Sequence, residues 1–100
     1  MNTSIIEQDG KYIVTLEGEL DTAHAMEVEQ DMQPLHEVSG KAITIDCTQL
    51  KYIASSGLRI LLGLLKSAKA KGNKVVLKNL NDDIKEVFRM TGFIDLFDIE

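Results

Sequence analysis

Residues 42–78 read AITIDCTQLKYIASSGLRILLGLLKSAKAKGNKVVLK. Two short apolar runs bound this stretch, Ala42-Ile43-Thr44-Ile45-Asp46 and Val75-Val76-Leu77, the second framed by Lys74 and Lys78. Each reads as a buried strand. Between them, Gly57 to Ala70 places Leu58, Leu61, Leu62, Leu65 and Ala68 on one helical face. Lys66, Lys69 and Lys71 gather near its end, where cations suit the helix dipole, and Gly72 is a natural stop. Strand, helix and strand in this order imply parallel pairing through a right-handed crossover. The spacing places Tyr52-Ile53 in the connection before the helix.

The flanks extend the pattern. Upstream, Tyr12-Ile13-Val14-Thr15-Leu16 is β-branched and aromatic, and Asp9-Gly10 before it signals a hairpin with Ser4–Glu7 as partner strand. Asp21 is a good helix cap, and Ala25, Val28, Met32 and Leu35 follow at helical spacing, with Glu27, Glu29, Gln30 and Asp31 mostly on the wet side. Pro34 predicts a kink or an end there. Downstream, Asn81-Asp82-Asp83 opens a third helix with Ile84, Val87 and Phe88 on its apolar face, and Gly92 ends it. Phe93 to Ile99 fits a last strand or a short helix. The expected fold is one α/β domain over residues 1–100, its sheet mostly parallel with an antiparallel N-terminal strand.

Composition narrows the function. One hundred residues suit a single core, 44% are hydrophobic and 27% charged, and the formal net charge is −5. An acidic chain is a poor direct partner for nucleic acid. One cysteine forms no internal disulfide. The N-terminus lacks the basic and apolar regions of a secretory signal, and the Leu58–Leu65 run is too short and interrupted to span a bilayer. The expectation is a cytoplasmic protein without membrane insertion.

In open α/β sheets, function gathers at loops beyond the carboxyl ends of strands. Two such loops stand out, one containing Asp21 and the other Ser55-Ser56-Gly57. A serine at a helix start reads first as a cap. It also reads as a phosphorylation site, because free N–H groups and the dipole receive a phosphate there. Ile53 stands where a nucleophile elbow needs glycine, so a serine hydrolase fits poorly. Gly57 and Gly63 lack the spacing of a phosphate loop. His24 and His36 share the first helix too far apart to converge on a metal. His24 is expected to face solvent and His36 to lie at the helix end. Cys47 follows a buried strand and reads as packing. Asp46 lacks the acidic pair of a response-regulator receiver. No cofactor is called for.

Four segments together resemble the successive motifs of STAS domains, and most of all the bacterial anti-sigma factor antagonists. They are Gly18-Glu19-Leu20-Asp21, Ile45-Asp46-Cys47-Thr48, Tyr52-Ile53-Ala54-Ser55-Ser56-Gly57-Leu58 and Met90-Thr91-Gly92-Phe93. The resemblance implies a binding protein rather than an enzyme. In that family the first serine of the Ser-Ser/Thr-Gly-Leu element, here Ser55, is phosphorylated by a partner that is both serine kinase and anti-sigma factor. The unphosphorylated antagonist holds that partner and frees the sigma factor, and a metal-dependent serine phosphatase restores it. Asp21 matches the family's aspartate beside the site. Many phosphorylated members carry aspartate just before the acceptor, where this chain has Ala54, which keeps Ser56 as a second candidate. Asp21, Thr22, Ala54, Ser55, Ser56 and Gly57 form the expected partner surface, on a chain that is a monomer when free. The alternatives are a STAS subunit of an ABC-type lipid transporter and a small hydrolase or nucleotide-binding enzyme using Ser55 and Asp21.

Overall fold

The computed structural model describes residues 1–100. β1 (Asn2–Gln8) and β2 (Lys11–Leu20) form the expected hairpin. Asp9 and Gly10 both take positive φ, 54° and 76°, the primed turn whose twist matches the strands it joins. α1 (Thr22–Asp31) then gives way to a 3-10 turn over Gln33–His36. Pro34 sits at the start of that turn, where its missing N–H is harmless, so the predicted break is a change of helix type. β3 (Ala42–Asp46), α2 (Ser55–Lys71) and β5 (Lys74–Lys78) make the central crossover, and Gly72 closes α2 at φ 74°.

Two elements differ from the sequence reading. Tyr52-Ile53, expected in the connection, ends a short strand, β4 (Leu50–Ile53), paired parallel with the far end of β2. After α3 (Asp82–Met90), the tail is both things the sequence allowed: a 3-10 turn at Phe93–Asp95, then β6 (Asp98–Ile99) on the edge beside β5.

The sheet runs β1-β2-β3-β5-β6, with β1 antiparallel and the rest parallel. β2 serves two partners. Lys11 to Thr15 pair with β3, and beyond Gly18 (φ 105°) the register shifts and Glu19 and Leu20 pair with β4. The bend therefore aims the last residues of β2 at the start of α2.

One side of the sheet carries the core. Val14, Leu16, Ile43, Ile45, Val75 and Leu77 pack with Val28, Met32, Leu58, Leu61, Leu64, Ile84 and Phe88 from the three helices into one apolar cluster. Phe88 meets Phe97 edge to face at 5.6 Å, tying the tail to α3. Cys47 belongs to the cluster as well, and burial pushes its thiol up to about 12, so it packs and does not ionise.

Candidate functional site

The site forms where β2 and β4 end side by side. Leu20 pairs with Ile53, and the Ala54 N–H donates to the Leu20 carbonyl at 2.9 Å. Asp21 and Ala54 are therefore neighbours although 33 residues apart in the chain. Each then starts a helix, so the N-termini of α1 and α2 open at the same end of the sheet.

Asp21 caps α1. Its carboxylate accepts the His24 N–H at 3.0 Å and lies 2.7 Å from His24 Nδ1. Partial desolvation pushes this carboxyl up, but the bonds to the His24 ring and N–H, with the His24 charge and the Ala23 N–H, hold the group below the usual aspartate range. His24 is thus half-buried and folded back onto the cap, not turned to solvent as the helical spacing suggested. His36 lies in the 3-10 turn that ends this helical segment, as expected. No three His, Cys, Asp or Glu side chains gather as a metal site.

The two serines differ from the capping reading and from each other. The cap position of α2 is Ala54, in extended conformation, and no side chain bonds the helix end. The first helical bond runs from the Leu58 N–H to the Ala54 carbonyl at 3.0 Å, so the N–H groups of Ser55, Ser56 and Gly57 have no partner within the helix. Ser56 is half-buried, its hydroxyl 3.2 Å from that of Thr22 across the gap between the helices. Ser55 is exposed at the first helical position.

Gly57 sets how closely the helix approaches the strands. A Cβ there would stand 2.6 Å from Leu20 Cγ, 2.9 Å from the Leu20 carbonyl oxygen and 3.0 Å from Ile53 Cγ1. Backbone cannot yield at such a distance, so only glycine lets α2 begin against the β2–β4 pair. Gly57 is itself buried, and its part in the site is to place Ser55 and Ser56.

This strand–serine–helix junction lies within a stretch, residues 2–100, that matches the family model described as the STAS domain. The chain belongs to the STAS domain family. Among similar STAS proteins is the anti-sigma-B factor antagonist of Listeria monocytogenes, 31% identical over 103 residues, spanning 100% of this chain and 90% of that one. An anti-sigma factor antagonist from Mycobacterium paratuberculosis superposes with a TM-score of 0.83 at 26% identity, covering 98% of this chain and 83% of that chain. The phosphorylated form of the Bacillus cell-fate determinant SpoIIAA shares the fold, with a TM-score of 0.74 at 18% identity over 99% of this chain and 91% of that chain.

The STAS fold of this chain also carries a feature that its motifs do not announce. Beside Ser56 a groove of about 300 Å³ runs between α1 and α2, lined by Thr22, Ala25, Met26, Glu29, Arg59 and Ile60. Met26 stands 71% exposed at its edge. The sequence reading passed over Met26; its place outside the Ala25–Val28–Met32–Leu35 stripe, among polar residues, is the signal that could have found it. No helix of this STAS chain is long and apolar enough to cross a membrane.

Proposed function

We propose that this STAS domain is an anti-sigma factor antagonist whose binding is switched off by phosphorylation of Ser55. The observation that carries the reading is the unequal state of the two serines: Ser55 is exposed, whereas Ser56 is half-buried and engaged with Thr22. The names of the Listeria and Mycobacterium relatives, and the phosphorylated state of the SpoIIAA neighbour, support the same reading.

The chemistry is simple. Unphosphorylated, the surface of Asp21, Thr22, Ala54, Ser55 and Ser56, continued by the α1–α2 groove, binds a cytoplasmic anti-sigma factor with serine-kinase activity and so frees the sigma factor. The kinase transfers the γ-phosphoryl group of ATP to the Ser55 oxygen, ADP departs with the bridging oxygen, and the hydroxyl proton passes to a base of the kinase and on to water. The product carries roughly −1.5 to −2 more charge, next to the free N–H groups that open α2, so the helix tolerates it. The same charge adds to that of the Asp21 carboxylate and of this acidic chain, and the phosphate keeps its own water, so the contact surface no longer matches the partner. Losing a desolvated contact of this kind costs roughly 2–5 kcal/mol. Each 1.4 kcal/mol is tenfold in affinity, so the switch needs no change of fold. A serine phosphatase reverses it. Catalysis belongs to the partners.

The test is to incubate the protein with the anti-sigma kinase encoded in the same genome and ATP, and to map the modified residue by mass spectrometry. One phosphate on Ser55 is expected. A phosphate on Ser56, or none, overturns the assignment. The variant Ser55→Ala should stay bound to the kinase in the presence of ATP, and Ser55→Asp should bind at least about tenfold more weakly in a direct titration.

A further inference from the structure

Two serines open α2, and nothing on that helix engages one rather than the other. Ser55 and Ser56 are neighbours in the chain, with the same hydroxyl chemistry. Ala54, the residue before them, carries no polar side chain, and no side chain caps the helix end. The difference comes from α1. Thr22 is the first residue of that helix, and its Oγ1 lies 3.2 Å from Ser56 Oγ. The Ala54–Leu20 backbone bond brings the two helix starts together, and Gly57 lets α2 close on the strands. In that arrangement the Thr22 hydroxyl meets the second serine and not the first. Thr22 and Ser56 line the same groove between the helices, with Ala25, Arg59 and Ile60. Ser56 is half-buried there, whereas Ser55 is exposed.

We propose that Thr22 selects between the two serines as phosphate acceptors, by holding the Ser56 hydroxyl against α1. Thr22 is then a positioning residue that acts through Ser56, and its role rests on the reading that a kinase modifies this helix start. A kinase draws the acceptor oxygen into its own cleft, in line with the γ-phosphorus and clear of the protein that bears it. The bond to Thr22 keeps the Ser56 oxygen turned into the gap between the helices. To accept a phosphoryl group, Ser56 must first give up that bond and turn outward. Ser55 has no such bond to lose. One net hydrogen bond of this kind is worth about a three- to tenfold preference. Consecutive helical residues also point about 100° apart, so a cleft presented to Ser55 meets Ser56 from the side. That offset is common to every variant, and the hydroxyl bond is the part Thr22 controls. The Ser55→Ala chain thus escapes the kinase only while Thr22 keeps its hydroxyl.

The test treats the native chain, Thr22→Val and Thr22→Ser with the anti-sigma kinase encoded in the same genome and ATP. Mass spectrometry reads the ratio of Ser56 to Ser55 phosphopeptide in each. Both peptides come from one sample, so a change in overall affinity for the kinase cancels. Valine keeps the shape of threonine without the hydroxyl, and serine keeps the hydroxyl. Thr22 is exposed, so neither change opens the core. The ratio should rise about three- to tenfold in Thr22→Val and stay near the native value in Thr22→Ser. An unchanged ratio in Thr22→Val overturns the inference. So does a Thr22→Ser chain that behaves like Thr22→Val, because the hydroxyl is then not the cause. A second measurement needs no kinase. In the free native chain, the three-bond couplings of the Ser56 β protons should report one χ1 rotamer, and in Thr22→Val an average of several. Averaged couplings in the native chain overturn the inference. A native chain with one Ser56 rotamer that takes no phosphate on either serine overturns the phosphorylation reading instead, and the selection falls with it.

Discussion

At the scale of single residues, the motif around Ser55 was legible as chemistry but not as geometry. Its glycine belongs to a pattern, but only the fold shows Leu20 and Ile53 pressed against it. Gly57→Ala should therefore destabilise the protein by about 1–3 kcal/mol, the usual cost of overpacking, read from urea denaturation. It should also weaken partner binding, since the helix start must shift. Gly63→Ala is the control: it sits in the same helix with nothing within 4 Å of a new Cβ. The capping role first read into the serines failed because the extended residue is Ala54, one position earlier. That shift leaves the Ser55 oxygen free of the helix end. His24 was misplaced for a related reason. Helical periodicity places a side chain on a face, but a ring three residues after a capping aspartate can fold back onto it, and Asp21 draws it there. Cys47 was read as packing, and its thiol, pushed up to about 12, should resist alkylation at pH 8 until the chain unfolds. Mass spectrometry after iodoacetamide treatment, with and without urea, checks this.

At the scale of elements, most of the architecture was readable because the periodic segments are long or sharply bounded. β3, β5, α2 and α3 carry apolar runs closed by capping residues or glycine. The Asn81 side chain accepts the Ile84 N–H at 2.8 Å and reaches the Leu50 carbonyl at 3.3 Å. Asn81→Ala should cost about 1 kcal/mol, the typical value of a lost cap, measured by thermal or urea unfolding. β4 escaped the reading for a physical reason. Over Leu50–Ile53 the burial runs in, out, out, in, with no alternation. Its pairing depends on the bend at Gly18, a long-range fact that four residues do not encode. The tail was ambiguous because it is two short pieces, each held by contacts elsewhere: Phe97 on Phe88, and β6 on β5.

At the scale of the whole molecule, two carboxylates link stability to pH. The Thr48 hydroxyl and N–H bond to Asp46, with help from Asn79, and hold its carboxyl below the ordinary aspartate value of 3.8; Asp21 is held low as well. A folded-state value below the unfolded one means that the folded chain binds fewer protons. Stability from these groups is then complete above about pH 4–5 and is lost as pH falls through their folded values. The urea midpoint should drop between pH 5 and pH 3, and Asp46→Asn should flatten part of that drop. The bond from the Ala54 N–H to the Leu20 carbonyl has a consequence of a different kind. It fastens the two loops of the site to each other before any partner arrives. Complex formation then has no segment to order first, and no slow conformational step precedes it. In a stopped-flow experiment association should follow a single exponential whose rate rises linearly with partner concentration. The Ser55→Asp change should act mainly on how long the complex lives.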